Sequence, residues 1–569
     1  MESQILLFSL VKNFWQKFSG VEKKLLLFFA LLLAASYSVL IIDDLQHGKT
    51  VPKIAGSYTE GLVGQPLLIN PLLASTDVDM DLARVVYAGL LKFDPNLNLV
   101  PDLAENLPQI SPDGKSYTIK LKDNLYWHDG NEFTADDLVF TYKAIQNQEL
   151  RSPLRLSWNR VEVTKIDSRT IKLTTRESSA TFIANLTVGI LPKHIWETVP
   201  AESFALSKFN LEPIGSGPFR VSGLQRGRNG EIKEIRLVRF ERYHGEGPYL
   251  KNLDFKFFTT SDRLIGAYHS RDITGLGYVP FDQSLFIEPK ANLQQIFLTL
   301  PQYQTVFINR AKNPAPLEDR RVRLALAKSV DKNKIIKEVY GGQASESYGP
   351  ILPGYLGFDD EIIKADMNVY DPERAKALLE EAGWIMDSET GFRKDKLNRT
   401  LSLSLATNDF SPNVRVAQSL KEMWEGIGIQ IVLSIETIAD LKDKFISPRN
   451  YELILFSENV GVDPDPYPFW HSSQLRDPGL NLSTFSNKTA DKLLVEARTN
   501  IPPPERVSKY KQFQNLFADD VPAIFLNRYV FVYNIPQALK GVKLNTIFTP
   551  SERFADINKW YLGTKRVKK

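Results

Sequence analysis

The sequence predicts an α/β fold divided among two or three domains, and three observations carry that expectation. At 569 residues the chain exceeds what one hydrophobic core organises. Its second half alternates strands with helices: Leu401–Ala406 and Ile429–Ile435 flank a helical stretch around Val416–Trp424 in a βαβ-like unit. Its first half is richer in alternating, half-buried strands and hairpins.

Composition narrows the function classes. A hydrophobic share of 43% and a charged share of 24% describe an ordinary globular chain. With 70 basic and 67 acidic residues the net charge is +3, so no electrostatic footprint for nucleic acid exists. The absence of cysteine excludes thiol catalysis, thiolate metal sites and disulfides.

The N-terminal region holds an uncharged stretch, Leu25–Ile42. At ~1.5 Å rise per residue it spans roughly 27 Å, enough to cross a bilayer. Lys12, Lys17, Lys23 and Lys24 precede it and Asp43 and Asp44 follow, so the positive-inside rule puts the rest of the chain outside the cell. Two readings stand: an uncleaved transmembrane anchor, preceded by an amphipathic Ile5–Phe18, or a signal peptide cleaved near Ala34-Ala35-Ser36. His47–Pro52 reads as a polar connection, and folding is expected from about Lys53.

Gly56–Ala74 reads as strand, loop and turn, and Asp77–Leu91 has helical spacing of Leu82, Val85, Val86 and Leu90. Ser116–Trp127 alternates, with Tyr117, Ile119 and Leu121 on one face. Thr134 at N-cap with Asp137 at N3 opens a helix, and Phe133 is placed to staple onto Leu138. Val161–Thr175 reads as a hairpin around Asp167-Ser168. After the tight turn Pro213–Phe219 come strands at Ile232–Phe240, Leu253–Phe258 and Gln304–Asn309. Asp319–Val330 is helical, and Asp331 caps a further helix that stops at Gly341-Gly342. Asp371-Pro372 opens another that Gly383 closes. Asp491–Ala497 and Tyr510–Phe517 read as helices, Pro522–Leu526 and Tyr529–Tyr533 as separate strands.

The stretch of greatest chemical interest is Tyr451–Gln474. A buried apolar strand, Leu453–Phe456, opens into a loop with Asp463, Asp465, Pro464, Pro466, Pro468, Tyr467, Phe469 and Trp470. Prolines fix φ and remove donors, giving a stiff extended path. Carboxylates and aromatics on such a path suit a pocket for a cationic or peptide-like ligand; a Pro-rich connection with solvated acids is the plainer reading. The six histidines show no metal-ligand spacing, and no nucleophile elbow or phosphate loop is present. Asp463 and Asp465 could be imagined as a hydrolase acid/base pair, but spacing on an extended Pro-rich loop does not establish the carboxylate separation such a pair needs.

Several landmarks together resemble the extracytoplasmic solute-binding proteins of peptide-type ABC transporters, the oligopeptide- and dipeptide-binding proteins of solute-binding family 5. They are Asn70-Pro71, Val86–Leu107, Asp113–Ile145, Pro213–Val221, Asp319–Lys332, Tyr370–Trp384 and Asp463–Gln474, in order over most of the chain. The resemblance implies a periplasmic-binding-protein-like type II fold: two lobes, an inserted domain, a hinge and a cleft, preceded here by the N-terminal helix. By analogy, lobe I comprises 53–89, 200–306 and 533–562, the inserted domain 90–199, and lobe II 307–532, with 1–24 cytoplasmic, 25–42 the anchor and 43–52 a linker. Hinge crossovers are expected near Pro301–Asn309 and Asn527–Tyr533.

The implied function is capture of an oligopeptide or related solute for a membrane permease and its ATPase, by a monomer held at the cell membrane, without cofactor, metal or catalysis. The alternatives are a sensory or chaperone-like receptor with the same fold and a surface hydrolase. The expected ligand-binding residues are Glu458, Asn459, Asp463, Asp465, Tyr467, Trp470, Asn70 and Tyr303. In peptide-binding relatives an aspartate a few residues after a tryptophan holds the ligand's α-amino group. Here Ser457 occupies the tryptophan's place and counting forward reaches Val460. Either Asp463 or Asp465 takes that role, or the ligand is not a free-amine peptide. Family members also bind nickel complexes, haem, oligosaccharides and opines, so the resemblance does not name the ligand.

Overall fold

The computed structural model describes residues 18–47, 49–95, 97–178, 182–279, 287, 292–461, 463, 465–499, 502–544, 546–547 and 549–567. Lys12, Lys17, Pro464 and all of Ile5–Phe18 except Phe18 lie outside them. The chain forms two units, one from residues 1–56 with 561–569 and one from 57–560.

In the first unit a helix runs Gly20–His47. The stretch expected as a plain connection contains a strand, Lys49–Pro52, antiparallel to Thr564–Val567 with Lys49 opposite Val567. Its partner lies at the far end of the chain, which no local pattern reveals. Among the described residues no helix is long and apolar enough to cross a membrane. The expected span continues past Ser38, where side chains are no longer described.

The second unit is built on a twelve-stranded sheet. In chain order its strands are β1 (Ser57–Val63), β2 (Phe219–Arg226), β3 (Ile232–Arg239), β4 (Asn252–Phe258), β5 (Gly275–Leu276) and β6 (Leu293–Thr299). Then follow β7 (Gln302–Ile308), β8 (Ala344–Glu346), β9 (Ser402–Asn408), β10 (Gln430–Glu436), β11 (Leu453–Asn459) and β12 (Ala523–Pro536). The spatial order is β10-β9-β11-β7-β12-β5-β1-β4-β3-β2, with β6 and β8 also on β12.

Helix α1 (Asp77–Val86) starts at Thr76, whose side chain accepts from the Asp79 amide. It stops at Val86 rather than running to Leu91. The glycine-rich turn supplies the reason: the Gly217 amide donates to the Val86 carbonyl at 2.8 Å, and a Cβ on Gly215 would lie 2.0 Å from that oxygen. Leu91–Phe93 then enters a short strand.

The segment between α1 and β2 carries its own four-stranded antiparallel sheet, including Ser116–Lys120, Glu162–Lys165 and Thr170–Thr174, with Tyr117, Ile119, Ile171 and Leu173 buried. Against it lies α2 (Ala135–Gln146), opened by the Thr134–Asp137 capping box. Beyond β7 come α3 (Arg320–Lys328, capped by Asp319), α4 (Lys332–Tyr340, capped by Asp331 and closed by Gly341 at φ 55°) and α5 (Pro372–Glu381). Helix α6 (Ser411–Glu425) joins the parallel pair β9 and β10, and α7 (Lys488–Ala497) and α8 (Pro503–Asp520) precede β12. Strand β12 is one continuous element where the sequence suggests two.

The first-numbered half of the sheet buries a charged knot. Arg553, 1% exposed, donates to Glu60 Oε1 at 2.8 Å and to both Asp81 oxygens at 2.7 and 2.6 Å. Tyr58 donates to Glu60 Oε2 at 2.7 Å, and Tyr533 donates to the same oxygen. The arginine's fork satisfies two acids at once, which is what makes a buried cation tolerable.

Candidate functional site

The chain passes between the two halves of the sheet twice. Residues 300–301 join β6 to β7, and the second passage lies inside β12. The first part of β12, Ala523–Asn527, pairs with β7, and its last part, Val530–Pro536, pairs with β6. Each half therefore contains one strand from each passage. Strand β11 runs antiparallel to β7 and parallel to β9, so the carboxyl ends of β9 and β11 reach the crossover edge, with Asn459 opposite Gln302. The strand ladders end there and α6 begins there, and open α/β sheets bind ligands at such edges.

An opening at this edge is lined by Tyr278 and Val279 after β5, Tyr340 and Gln343 at the end of α4, Phe410 and Pro412 at the start of α6, and Val530 and Val532 of β12. Its free volume is about 20 Å³, the space of roughly one water-sized group. Tyr278 stacks on Phe531 with ring centroids 5.5 Å apart.

Polar groups collect around the opening. A relay of buried amides runs across the irregularity in the β7–β12 ladder at Gln304/Thr305. Asn527 and Tyr340 donate to Gln304 Oε1 at 2.9 and 3.1 Å, Gln304 donates to Asn413 at 2.7 Å, and Asn413 donates to Asn408 at 2.8 Å. Beside it, Gln302 Nε2, Gln343 Oε1, Asn527 Oδ1, Arg528 Nε and Asn534 Nδ2 are buried with no hydrogen-bond partner among the described residues. Each such group costs about 1–3 kcal/mol. Their placement on the two passages and the end of α4 marks the region as built for something other than stability alone.

The Pro-rich turn starts at the same edge. The Val460 amide donates to the Pro301 carbonyl at 2.7 Å, and Asn459, exposed, accepts from the Gly461 amide at 3.0 Å. Glu458 is buried and accepts from the Tyr303 hydroxyl at 3.0 Å; burial raises its carboxyl well above the ordinary range, against weaker downward pulls from Tyr303 and Arg449.

The two loop acids are engaged by arginines from α8 and the end of α7. Asp463 pairs with both terminal nitrogens of Arg506, one at 3.0 Å, and Arg506 also donates to the Tyr510 hydroxyl at 2.9 Å. Burial pulls the Arg506 guanidinium down, but the Asp463 carboxylate and the Tyr510 hydroxyl together outweigh this and hold it above its usual value. Asp465 meets Arg498 at 2.9 Å and accepts from the Tyr467 amide at 3.1 Å. Its carboxyl is raised by burial, with Arg498 opposing. The Arg498 guanidinium also lies 4.2 Å from the Tyr467 ring centre. An incoming amine would have to displace a charge-assisted partner to reach either acid.

Three other expected residues are fully buried. Trp470 is part of the core, 4.6 Å from Phe517 and 5.8 Å from Phe307 between ring centroids. Tyr303 packs edge-on against Phe525, and Asn70 closes a turn by accepting from the Leu72 amide at 3.0 Å while donating to Asn210 at 3.3 Å. None of the eight expected residues lines the opening at the crossover. Tyr278, Gln343, Phe410 and Arg528 escaped the sequence reading; the available signal was position, since Phe410 follows a parallel strand directly and precedes a helix.

Comparison with known proteins agrees with this architecture. The family "Bacterial extracellular solute-binding proteins, family 5 Middle" matches residues 98–478. The oligopeptide-binding protein AppA of Bacillus subtilis is 28% identical over 519 residues, covering 90% of this chain and 92% of its own. The dipeptide-binding protein of Escherichia coli is 27% identical over 505 residues, covering 84% and 90%. The structure of the Bacillus subtilis protein with a nonapeptide superposes at a TM-score of 0.73 with 27% identity, over 90% of this chain and all of that one. Conserved architecture over nearly the whole of each chain places this protein among the bacterial extracellular solute-binding proteins of family 5.

Proposed function

We propose that the protein is the substrate-binding subunit of an ABC importer, taking up an oligopeptide or related solute at the crossover edge and delivering it to a membrane permease and its ATPase. The observation that carries this reading is the double passage between sheet halves, with its unpartnered polar groups, in a family whose related members are named for binding oligopeptides and dipeptides. Solute contacts on both halves favour a closed arrangement, and the passages at 300–301 and 527–530 act as the hinge. Backbone groups at the ends of β9 and β11 can pair with an extended peptide as an added strand. The turn from Asn459 to Tyr467 forms part of the wall, with Asp463 and Asp465 holding its shape through their arginines.

The Gly20–His47 helix is the membrane tether in this reading. Leu25, Leu27, Phe28, Phe29, Leu31 and Leu33 are all at least half exposed on it. A helix apolar on every side needs an apolar surrounding, and lipid supplies one.

Native mass spectrometry of the gently purified full-length protein tests the assignment: a retained peptide-like solute supports it. Adding the identified solute should shrink the radius of gyration in small-angle scattering. Binding with unchanged scattering would remove the closure mechanism, and failure to bind any member of a broad peptide library would remove the substrate class.

A further inference from the structure

A second cavity, of about 370 Å³, lies between α1 with the Ser551–Glu552 turn on one side and the segment inserted after α1 on the other. None of its lining residues borders the crossover opening. Its size falls within the roughly 300–1,000 Å³ typical of small-molecule sites. The wall from the inserted segment is apolar, with Trp158, Phe93 and Leu154, and Met80 of α1 adds an apolar group from the other side. Trp158 is 1% exposed and held flat against Tyr142, ring centroids 4.2 Å apart, so this wall is rigid.

The opposite wall carries an ion pair. Arg84 Nη2 meets Glu552 Oε2 at 3.0 Å, and each side chain is 12% exposed. Among the described residues this is the one hydrogen bond Arg84 makes, so four of its five N–H groups and the second oxygen of Glu552 are uncommitted. A lone anion or cation brought here would leave one excess charge in a largely desolvated place. A zwitterion leaves none: a carboxylate takes the arginine's free donors while an ammonium takes the free carboxylate oxygen.

We propose that this cavity is a separate binding site for a free α-amino acid with a large apolar or aromatic side chain. The α-carboxylate lies on Arg84, the α-ammonium on Glu552, and the side chain against Trp158, Phe93 and Met80. The site is independent of whatever the crossover edge captures, and its occupant would brace the inserted segment against α1.

Isothermal titration calorimetry of the full-length protein tests this with L-phenylalanine, N-acetyl-phenylalanine and phenethylamine as probes. Phenylalanine should bind, and each probe lacking one charge should bind at least about tenfold more weakly, the effect of losing one charge-assisted hydrogen bond. Met80→Trp and Ala74→Phe, which fill the cavity, should abolish the heat, and Arg84→Gln should weaken it. Melting curves identify which variants remain folded, and the three probes on the unaltered protein decide the matter if none does. Absence of phenylalanine binding, equal binding of all three probes, or binding that survives a folded cavity-filling variant would each overturn the assignment.

Discussion

Tyr303 and Glu458 stand opposite one another in the β7–β11 ladder, and the tyrosine hydroxyl donates to the buried carboxyl at 3.0 Å. Burial raises the Glu458 carboxyl well above its ordinary value of 4.5, so the folded chain holds this proton more tightly than the unfolded chain. The resulting stabilisation is full below the unfolded value and is lost as pH rises through the raised folded one. Glu458→Gln should therefore flatten the fall of Tm with pH above that value. A variant whose Tm–pH curve runs parallel to that of the unaltered protein would show that Glu458 is not held protonated.

The Arg553 knot gives a second window. Burial raises the Asp81 carboxyl from 3.8 to about 7 despite the opposing arginine. Between those values the folded state carries more proton than the unfolded state, so stability from this group declines as pH rises from 3.8 to about 7. Asp81→Asn should remove the slope in that interval. Arg553→Met, which strands two buried acids, should lower stability by about 3–5 kcal/mol, measured by urea unfolding near neutral pH.

Asp463 and Arg506 should show coupling in the empty protein. Asp463→Asn is expected to cost about 2 kcal/mol, and the double variant with Arg506→Gln less than the sum of the singles. If Asp463→Asn leaves stability unchanged but selectively weakens peptides with a free amino terminus, the acid serves the ligand instead.

The capping box of α2 is a local device. Thr134→Ala should destabilise by about 1 kcal/mol, since the N-terminal amides lose their acceptor. Chemical denaturation reads this directly, and the same loss should appear with or without solute.

At the crossover opening, Phe410→Ala should weaken capture of the identified solute by about tenfold with little change in Tm, because the ring is 36% exposed and contributes little to the core. Unaltered affinity would place the solute elsewhere.

Local grammar carried far into the fold. The caps at Thr134, Asp319, Asp331 and Asp371 sit where residue chemistry places them, because a side chain accepting an amide two or three positions ahead is a short-range event. Alternation placed Tyr117, Ile119, Ile171 and Leu173 on a buried face for the same reason. Helix α1 broke the pattern at Val86, where glycines more than a hundred positions away intrude. The acids of the Pro-rich turn were visible, but their arginines, Arg498 and Arg506, follow in later helices, so no spacing rule could show that both charges were already engaged.

By itself the sequence determined the family, the α/β class and most helix starts, since these rest on periodicity, capping and ordered landmarks along the chain. Tertiary structure decided which side chains meet. It buried Trp470, Tyr303 and Asn70, brought Tyr278 and Phe410 to one opening, and set Arg84 against Glu552 across 468 positions. Charge pairing and burial depend on distance in space, and only the folded sheet brings segments so far apart in the chain within reach.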